Sequence, residues 1–229
     1  MTKKTTSNLT DKVLITGASG MVGSLILHHC LTHPEVKSIV SLVRKPSGHT
    51  NPKLKEIICK DFTDYTHCQD EFKGVSVIYF CIGVYTGAVD RKQFQRITVD
   101  YPVALAHAVF KMSAKANFCL LSGSGADRTE KSKMMFAKDK GIAENQLSAI
   151  GFARFYTFRP GYIYPVIPRK EPNLSYRLAR WLYPLLKVMG PSASITSEAL
   201  AKVIFLIGRT GQDQEIFENR DMINYLNNH

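Results

Sequence analysis

Short apolar runs and stretches of helical period alternate along this 229-residue chain. The runs KVLIT (12–16), SIVSLV (38–43), LKEIIC (54–59), VSVIYFC (75–81), FCLL (118–121), FYTF (155–158) and EIF (215–217) have the length of strands. Several are almost unbroken Val, Ile and Leu, as in strands covered on both faces. Between the first two, apolar residues at 21, 22, 25, 26 and 30 predict a helix over 21–31. Helices are also expected at 102–112, which begins on Pro102 as a first turn allows, at 136–150, and at 197–207, where Ser197 and Glu198 give a helix-start signature. Strands alternating with helices imply repeated right-handed βαβ crossovers. The expected fold is α/β, a three-layer doubly wound parallel sheet forming one domain over 1–229.

Two stretches depart from the alternation. The polar residues 1–10 read as a frayed tail. The segment 164–194 carries five prolines, Pro165, Pro168, Pro172, Pro184 and Pro191, and reads as a substrate-side insertion with one short helix. Within it, residues 175–189 mix large apolar groups with three basic ones, and read as a lid over a pocket rather than a membrane-bound helix, because Pro184 interrupts them.

Composition narrows the classes. Hydrophobic residues at 45% and charged residues at 21% are globular values. No window has the length and apolarity of a membrane span or a signal-peptide core, so a cytoplasmic protein without stable membrane insertion is expected. Five cysteines contain no CxxC pair and no nearby histidine partners, which argues against a metal site or a disulfide framework. The net charge of +11 is spread along the chain without a basic run or aromatic-basic alternation, so nucleic acid is not expected as a partner.

Candidate chemistry begins after the first strand. Thr16 is followed by Gly17, Ala18, Ser19, Gly20, Met21, Val22 and Gly23, a three-glycine turn between a strand and an amphipathic helix. That is the context of a dinucleotide fingerprint: Gly17 for the tight turn, Gly20 for close approach of a pyrophosphate, Gly23 for close helix packing. An NAD-specific site would carry an acid at the end of the second strand, where this chain has Arg44 and Lys45. Two cations there favour the 2'-phosphate of NADP(H) over NAD(H). Asp61 and Phe62 follow the third strand; Asp61 either meets the adenine amino group or caps a helix beginning near Asp64. Cys81, Ile82 and Gly83 follow the fourth strand, where Gly83 lets a cofactor lie close to the backbone.

These motifs, with VDYP at 99–102, LLSGSGAD ending at Asp127, KDKGIAE at 138–144 and FRPGYIYP at 158–165, make the chain resemble the short-chain dehydrogenase/reductase superfamily in its extended or atypical branch. Their order is most similar to the NADPH-binding oxidoreductases of the Tat-interacting-protein type and to NmrA-like regulators. The resemblance implies an NAD(P)-binding Rossmann fold, a serine after the fifth strand and a Tyr-x-x-x-Lys pair on the next helix. The lysine would hold the nicotinamide ribose and lower the tyrosine pKa, and the tyrosine would protonate a substrate carbonyl. Here the serine is Ser122, with Ser124 nearby, and the lysine is Lys140. The tyrosine position is Phe136, which has no proton to give.

Tyr85 and Tyr162 lie in loops expected to open on the same crevice, and either is a candidate replacement acid, Tyr162 the one placed beside Lys140 and Ser122 as catalytic. The substrate pocket is expected from Tyr85, Ser124, Phe136 and Tyr162, with Pro160 and Gly161 against the cofactor. Two functions follow: an NADPH-dependent oxidoreductase acting on a small carbonyl-type substrate, or an NADP(H)-sensing protein that acts through a regulatory protein partner. A monomer or a homodimer fits either.

Overall fold

The computed structural model describes residues 12–166 and 193–229. The polar residues 1–10 and most of the proline-rich insertion, including the lid segment 175–189, lie outside the described residues. The chain runs β1 (Lys12–Thr16), α1 (Met21–Thr32), β2 (Ser38–Val43), β3 (Leu54–Ile58), a 3₁₀ turn (Thr66–Phe72), β4 (Val77–Phe80), α2 (Arg91–Gln95), a π-turn (Arg96–Asp100) and α3 (Tyr101–Ser113). It continues with β5 (Asn117–Leu121), α4 (Met135–Ala149), β6 (Arg154–Arg159) and β7 (Tyr162–Tyr164). After the insertion come β8 (Ser194–Thr196), α5 (Ser197–Thr210), β9 (Ile216–Glu218) and α6 (Asn219–Asn227).

Seven strands form a parallel sheet in the order β3-β2-β1-β4-β5-β6-β9, the doubly wound arrangement expected. Alternate side chains feed two cores, as a period of two requires. Val13, Ile15, Ile39, Val77 and Tyr79 pack towards α1 and α5. Leu14, Val40, Leu42, Ile78 and Phe80 pack with the 3₁₀ turn and α3. α5 comes so near the sheet that a Cβ on Gly208 would lie 2.7 Å from the Tyr79 ring.

The structure refines three sequence readings. α5 starts at Ser197 as read but runs on to Thr210, and it is capped by Thr196, whose Oγ1 accepts from Ala199 N at 3.1 Å. The helix expected at 102–112 continues upstream through the π-turn to Arg91. Pro102 explains the irregularity, since it offers no N–H to the preceding turn and its ring crowds the carbonyl four residues back; the π-turn absorbs this, with Tyr101 N–H bonding to Arg96 O. Finally, β7 and β8, absent from the sequence reading, pair in parallel through Tyr162↔Ser194, Ile163↔Ile195 and Tyr164↔Thr196. Three residues each are too short to carry a periodic signal.

Candidate functional site

The order of strands reverses between β1 and β4, and ligands of open α/β sheets bind in the crevice beyond the strand ends at such a point. There the chain turns at Gly17, in the left-handed region at φ +72°. A Cβ on Gly17 would lie 2.6 Å from the Cys81 carbonyl, so glycine is required both by conformation and by the neighbouring strand end. A Cβ on Gly23 would lie 2.2 Å from the Gly17 carbonyl, which brings the first turn of α1 directly onto the loop. Gly20 opens α1 with no side chain capping the turn. The first N–H groups of α1 are thus left facing outward beside Ala18 and exposed Ser19, with the positive end of the helix dipole behind them.

A cleft of about 720 Å³ extends from this turn across the ends of β4, β5 and β6. It brings together Gly20, Met21 and Val22; Cys81, Ile82 and Gly83; Tyr85; Ser122 and Ser124; Phe136 and Lys140; and Pro160, Gly161 and Tyr162. Gly17, Ala18, Ser19, Gly23, Arg44, Lys45, Asp61 and Phe62 are not on its wall. Arg44 and Lys45 are exposed just past β2. The register Thr16↔Leu42 puts them level with the start of the glycine turn. Asp61 is committed locally: its carboxylate accepts from Thr63 N and Oγ1 at 2.9 and 2.7 Å and from Arg96 at 3.0 Å. It does not cap the 3₁₀ turn, since Asp64 accepts from Thr66 N there. Phe62 is buried and packs tilted against Tyr101, at 5.6 Å between centroids.

Lys140 reaches the cleft because α4 packs very closely. A Cβ on Gly141 would lie 1.8 Å from the Asp127 carbonyl, so the helix touches the β5–α4 loop through a bare Cα. Asp127 N–H also bonds to Ala137 O, and the Asp127 carboxylate receives Thr129, Lys131 and Ser132 N–H groups, which makes that loop a rigid abutment. The Lys140 side chain then runs over Gly123, whose Cβ, if present, would be 3.2 Å from Lys140 Cε. Burial lowers the ammonium pKa to about 8, and the charge of Glu144 only partly restores it.

Ser122 is not directed at the cleft alone. Its hydroxyl donates to Glu144 Oε1 at 2.7 Å, and Thr157 Oγ1 and Arg159 Nε donate to the same oxygen at 3.0 Å each. Arg128 Nε donates to Oε2 at 2.9 Å, and Arg159 also reaches Oε2 and, through its other amino group, Glu218. Burial pushes the Glu144 carboxyl up, but the donors Arg159, Ser122 and Arg128 outweigh it and hold the group below the ordinary glutamate range. The network ties β5, α4, β6 and β9 together beneath the cleft. A second buried acid, Asp139, takes a bidentate pair from Arg91 at 2.6 and 2.9 Å, fixing the start of α2 to α4. Neither acid figured in the sequence reading; the available signal was an acidic residue at the inward positions of α4 flanked by small residues, as in KDKGIAE.

The thiols carry no cleft chemistry: all five are free, and burial pushes that of Cys81 up to about 12. Among the described residues no cluster of ligands could hold a metal ion.

Residues 13–135 match the family described as NAD dependent epimerase/dehydratase. The protein named fmp52, mitochondrial, of Emericella nidulans is 28% identical over 157 residues, 66% of either chain. FMP52, mitochondrial, of Candida albicans is 27% identical over 191 residues, 78% of this chain and 82% of that one. The leucinostatins biosynthesis cluster protein T of Purpureocillium lilacinum is 26% identical over 175 residues, 66% of this chain and 64% of that one. The chain thus spans just under two thirds of several of these relatives. The mitochondrial names overturn the expectation of a cytoplasmic protein. Among the described residues no helix is long and apolar enough to cross a membrane.

Among solved structures, a UDP-N-acetylglucosamine 4-epimerase from Methanobrevibacter ruminantium superposes with a TM-score of 0.67 at 16% identity, over 91% of this chain and 75% of that one. WbmH from Bordetella bronchiseptica, in complex with NAD+, gives 0.65 at 17% identity over 91% and 75%. At such identities the likeness is one of fold.

Proposed function

The chain belongs to the NAD dependent epimerase/dehydratase family, among the extended short-chain dehydrogenases/reductases, and from that membership we propose that it binds NADP(H) and acts as an oxidoreductase on a carbonyl-type substrate with an altered proton-transfer half. The observation that carries the reading is the uncapped, glycine-cradled start of α1 opening onto a cleft whose far wall holds Lys140. The turn from Gly17 to Gly23 would hold the pyrophosphate, with Cys81, Ile82, Gly83, Pro160 and Gly161 flanking the remainder of the dinucleotide. Lys140 would hold the nicotinamide ribose. Arg44 and Lys45, exposed just past β2, would receive a 2'-phosphate, and the position carries no acid of the kind that binds the ribose in NAD sites. When bound, the nicotinamide supplies or accepts a hydride.

Phe136 lines the cleft as a ring without a proton, and the Ser122 hydroxyl is engaged by Glu144. Proton transfer therefore falls to Tyr162 or Tyr85. These same two observations favour a second reading, in which the protein senses NADP(H) and signals through a protein partner.

Fluorescence titration with NADPH and NADH tests the shared step, with NADPH expected to bind in about the micromolar range of cofactor use. Equal affinity for the two, or none, removes the NADP(H) reading. Oxidation of NADPH over a panel of aldehydes and ketones, by the wild type and by Phe136→Tyr, separates the rest. Turnover by both supports the oxidoreductase, turnover by the variant alone supports a retired site, and silence in both supports the sensor.

A further inference from the structure

The loop between β5 and α4 holds two residues that serve the fold poorly. Glu130 lies in the left-handed region at φ +60°, the one non-glycine residue there among those described. A side chain is strained in that region and stays only where its surroundings impose it. Here they do: Asn145 Nδ2 donates to Glu130 Oε1 at 2.8 Å and to Arg128 O at 2.9 Å, while the Asp127 carboxylate gathers the Thr129, Lys131 and Ser132 N–H groups. Met134 occupies the N-cap of α4 without capping it, and is 60% exposed. A serine or aspartate at that position would accept a helix N–H and stabilise the first turn.

Charge is sorted around the same loop. The acids are engaged within the chain, Asp127 by backbone N–H groups, Glu130 by Asn145 and Asp139 by Arg91. The lysines are not: Lys131, Lys133 and Lys138 are exposed and make no side-chain hydrogen bond or ion pair among the described residues. Lys138 follows Met134 by one helical turn, its N–H bonded to the Met134 carbonyl at 3.1 Å, and Lys131 and Lys133 precede it. An exposed methionine with lysines on either side has the make-up of a small interface, an apolar centre inside a polar rim.

The size of the patch decides the kind of partner. Anionic membranes are held by clusters of about four to eight basic residues or by a broad apolar helix face. Single-stranded nucleic acids add a longer basic track and rings on which bases stack. An acidic polypeptide segment needs only a few cations at a set spacing and one apolar anchor, and a loop fixed in advance supplies both.

We infer that the β5–α4 loop docks an acidic protein segment carrying an apolar residue, with Met134 against that residue and Lys131, Lys133 and Lys138 on the carboxylates. The inference depends on neither the cofactor nor the reaction proposed above.

The test is fluorescence anisotropy of the full chain with a rhodamine-labelled peptide of repeated Asp-Leu-Glu, against repeated Asn-Leu-Gln of the same length. The acidic peptide should bind in about the micromolar range, at least roughly tenfold more tightly than the neutral one, and weaken as salt rises beyond about 0.15 M. Lys131→Gln, Lys133→Gln and Lys138→Gln together should lower its affinity at least about tenfold, whereas the same change at exposed Lys60, Lys111 and Lys115 should stay within about threefold. Met134→Ser should raise the thermal midpoint by capping α4 and yet weaken the peptide at least about fivefold, a combination that unfolding cannot produce. Equal affinity for the two peptides, no binding up to roughly millimolar, equal losses in the two triple variants, or full affinity in Met134→Ser overturns the inference. So does attachment to phosphatidylserine vesicles that the first triple variant loses, without binding of the acidic peptide, since the loop would then be a membrane contact.

Discussion

Ser122 donates its hydroxyl hydrogen to Glu144 Oε1 across 2.7 Å, and both side chains are buried. The serine that the resemblance places after the fifth strand thus fastens β5 to α4. Removing one such bond leaves a buried acceptor short of a donor, so Ser122→Ala should lower stability by about 1–2 kcal/mol in urea unfolding. Exposed Ser124→Ala, by contrast, should stay within a few tenths of a kcal/mol. Equal effects would mean that the Ser122 bond contributes nothing to the fold.

Glu144 is ionised against Arg128 and Arg159 in a buried setting. Glu144→Gln leaves those guanidinium groups short of a countercharge and should cost about 3 kcal/mol. The folded carboxyl lies below its ordinary value, so the stability it contributes is present above the unfolded glutamate pKa and is lost as pH falls through the folded one. Acid unfolding of the wild type should accordingly slope more steeply below about pH 4 than that of Glu144→Gln.

The Lys140 ammonium, lowered to about 8 chiefly by burial, works the other way. Between about 8 and the ordinary lysine value the unfolded chain binds the proton and the folded one does not, so this group's burden on stability is full below pH 8 and fades as pH rises. Lys140→Met should therefore stabilise the chain at neutral pH, on the order of 2 kcal/mol, while weakening NADPH binding. Chemical denaturation with and without NADPH reads both; a destabilised Met variant would show that the ammonium is satisfied in the fold.

Gly141 has no room for a methyl group, because the Asp127 carbonyl would lie 1.8 Å from it. Gly141→Ala should push α4 off its loop, cost about 3 kcal/mol or more, and reduce NADPH affinity by withdrawing Lys140. A thermal shift with unaltered NADPH affinity would separate the helix contact from the site.

Arg44→Asp replaces a cation level with the glycine turn by the acid an NAD site uses. The NADPH-over-NADH preference should fall at least about tenfold, the value of one charge-assisted phosphate contact. An unchanged ratio in paired titrations would assign the 2'-phosphate to another residue.

Most strands of the large sheet and the main helices were legible in the sequence as apolar runs or helical periods; Val13 through Ile15 and Val77 through Phe80 are buried throughout. The glycine turn was legible because Gly17, Gly20 and Gly23 sit at one strand-helix junction. Lys140 and Phe136 were reached by resemblance, and the cleft does hold both. What the sequence hid was partnership between distant residues. Nothing in the spacing says that Ser122 bonds Glu144, that Arg91 pairs with Asp139, or that Asp61 turns to Arg96 instead of standing free. Such pairs depend on which elements the sheet order brings side by side, and a periodic pattern carries no record of that.

The parallel pairing of β7 with β8 holds Tyr164 and Thr196 in register beside the cleft. Because the pair is parallel, chain that departs after Tyr164 returns at Ser194, level with Tyr162, so the crossover starts and finishes on one short paired frame. Its length and composition can change at a closure cost that grows only slowly. The pair therefore acts as a socket: exchanging the segment between these two strands should leave the seven-stranded sheet and its glycine turn intact.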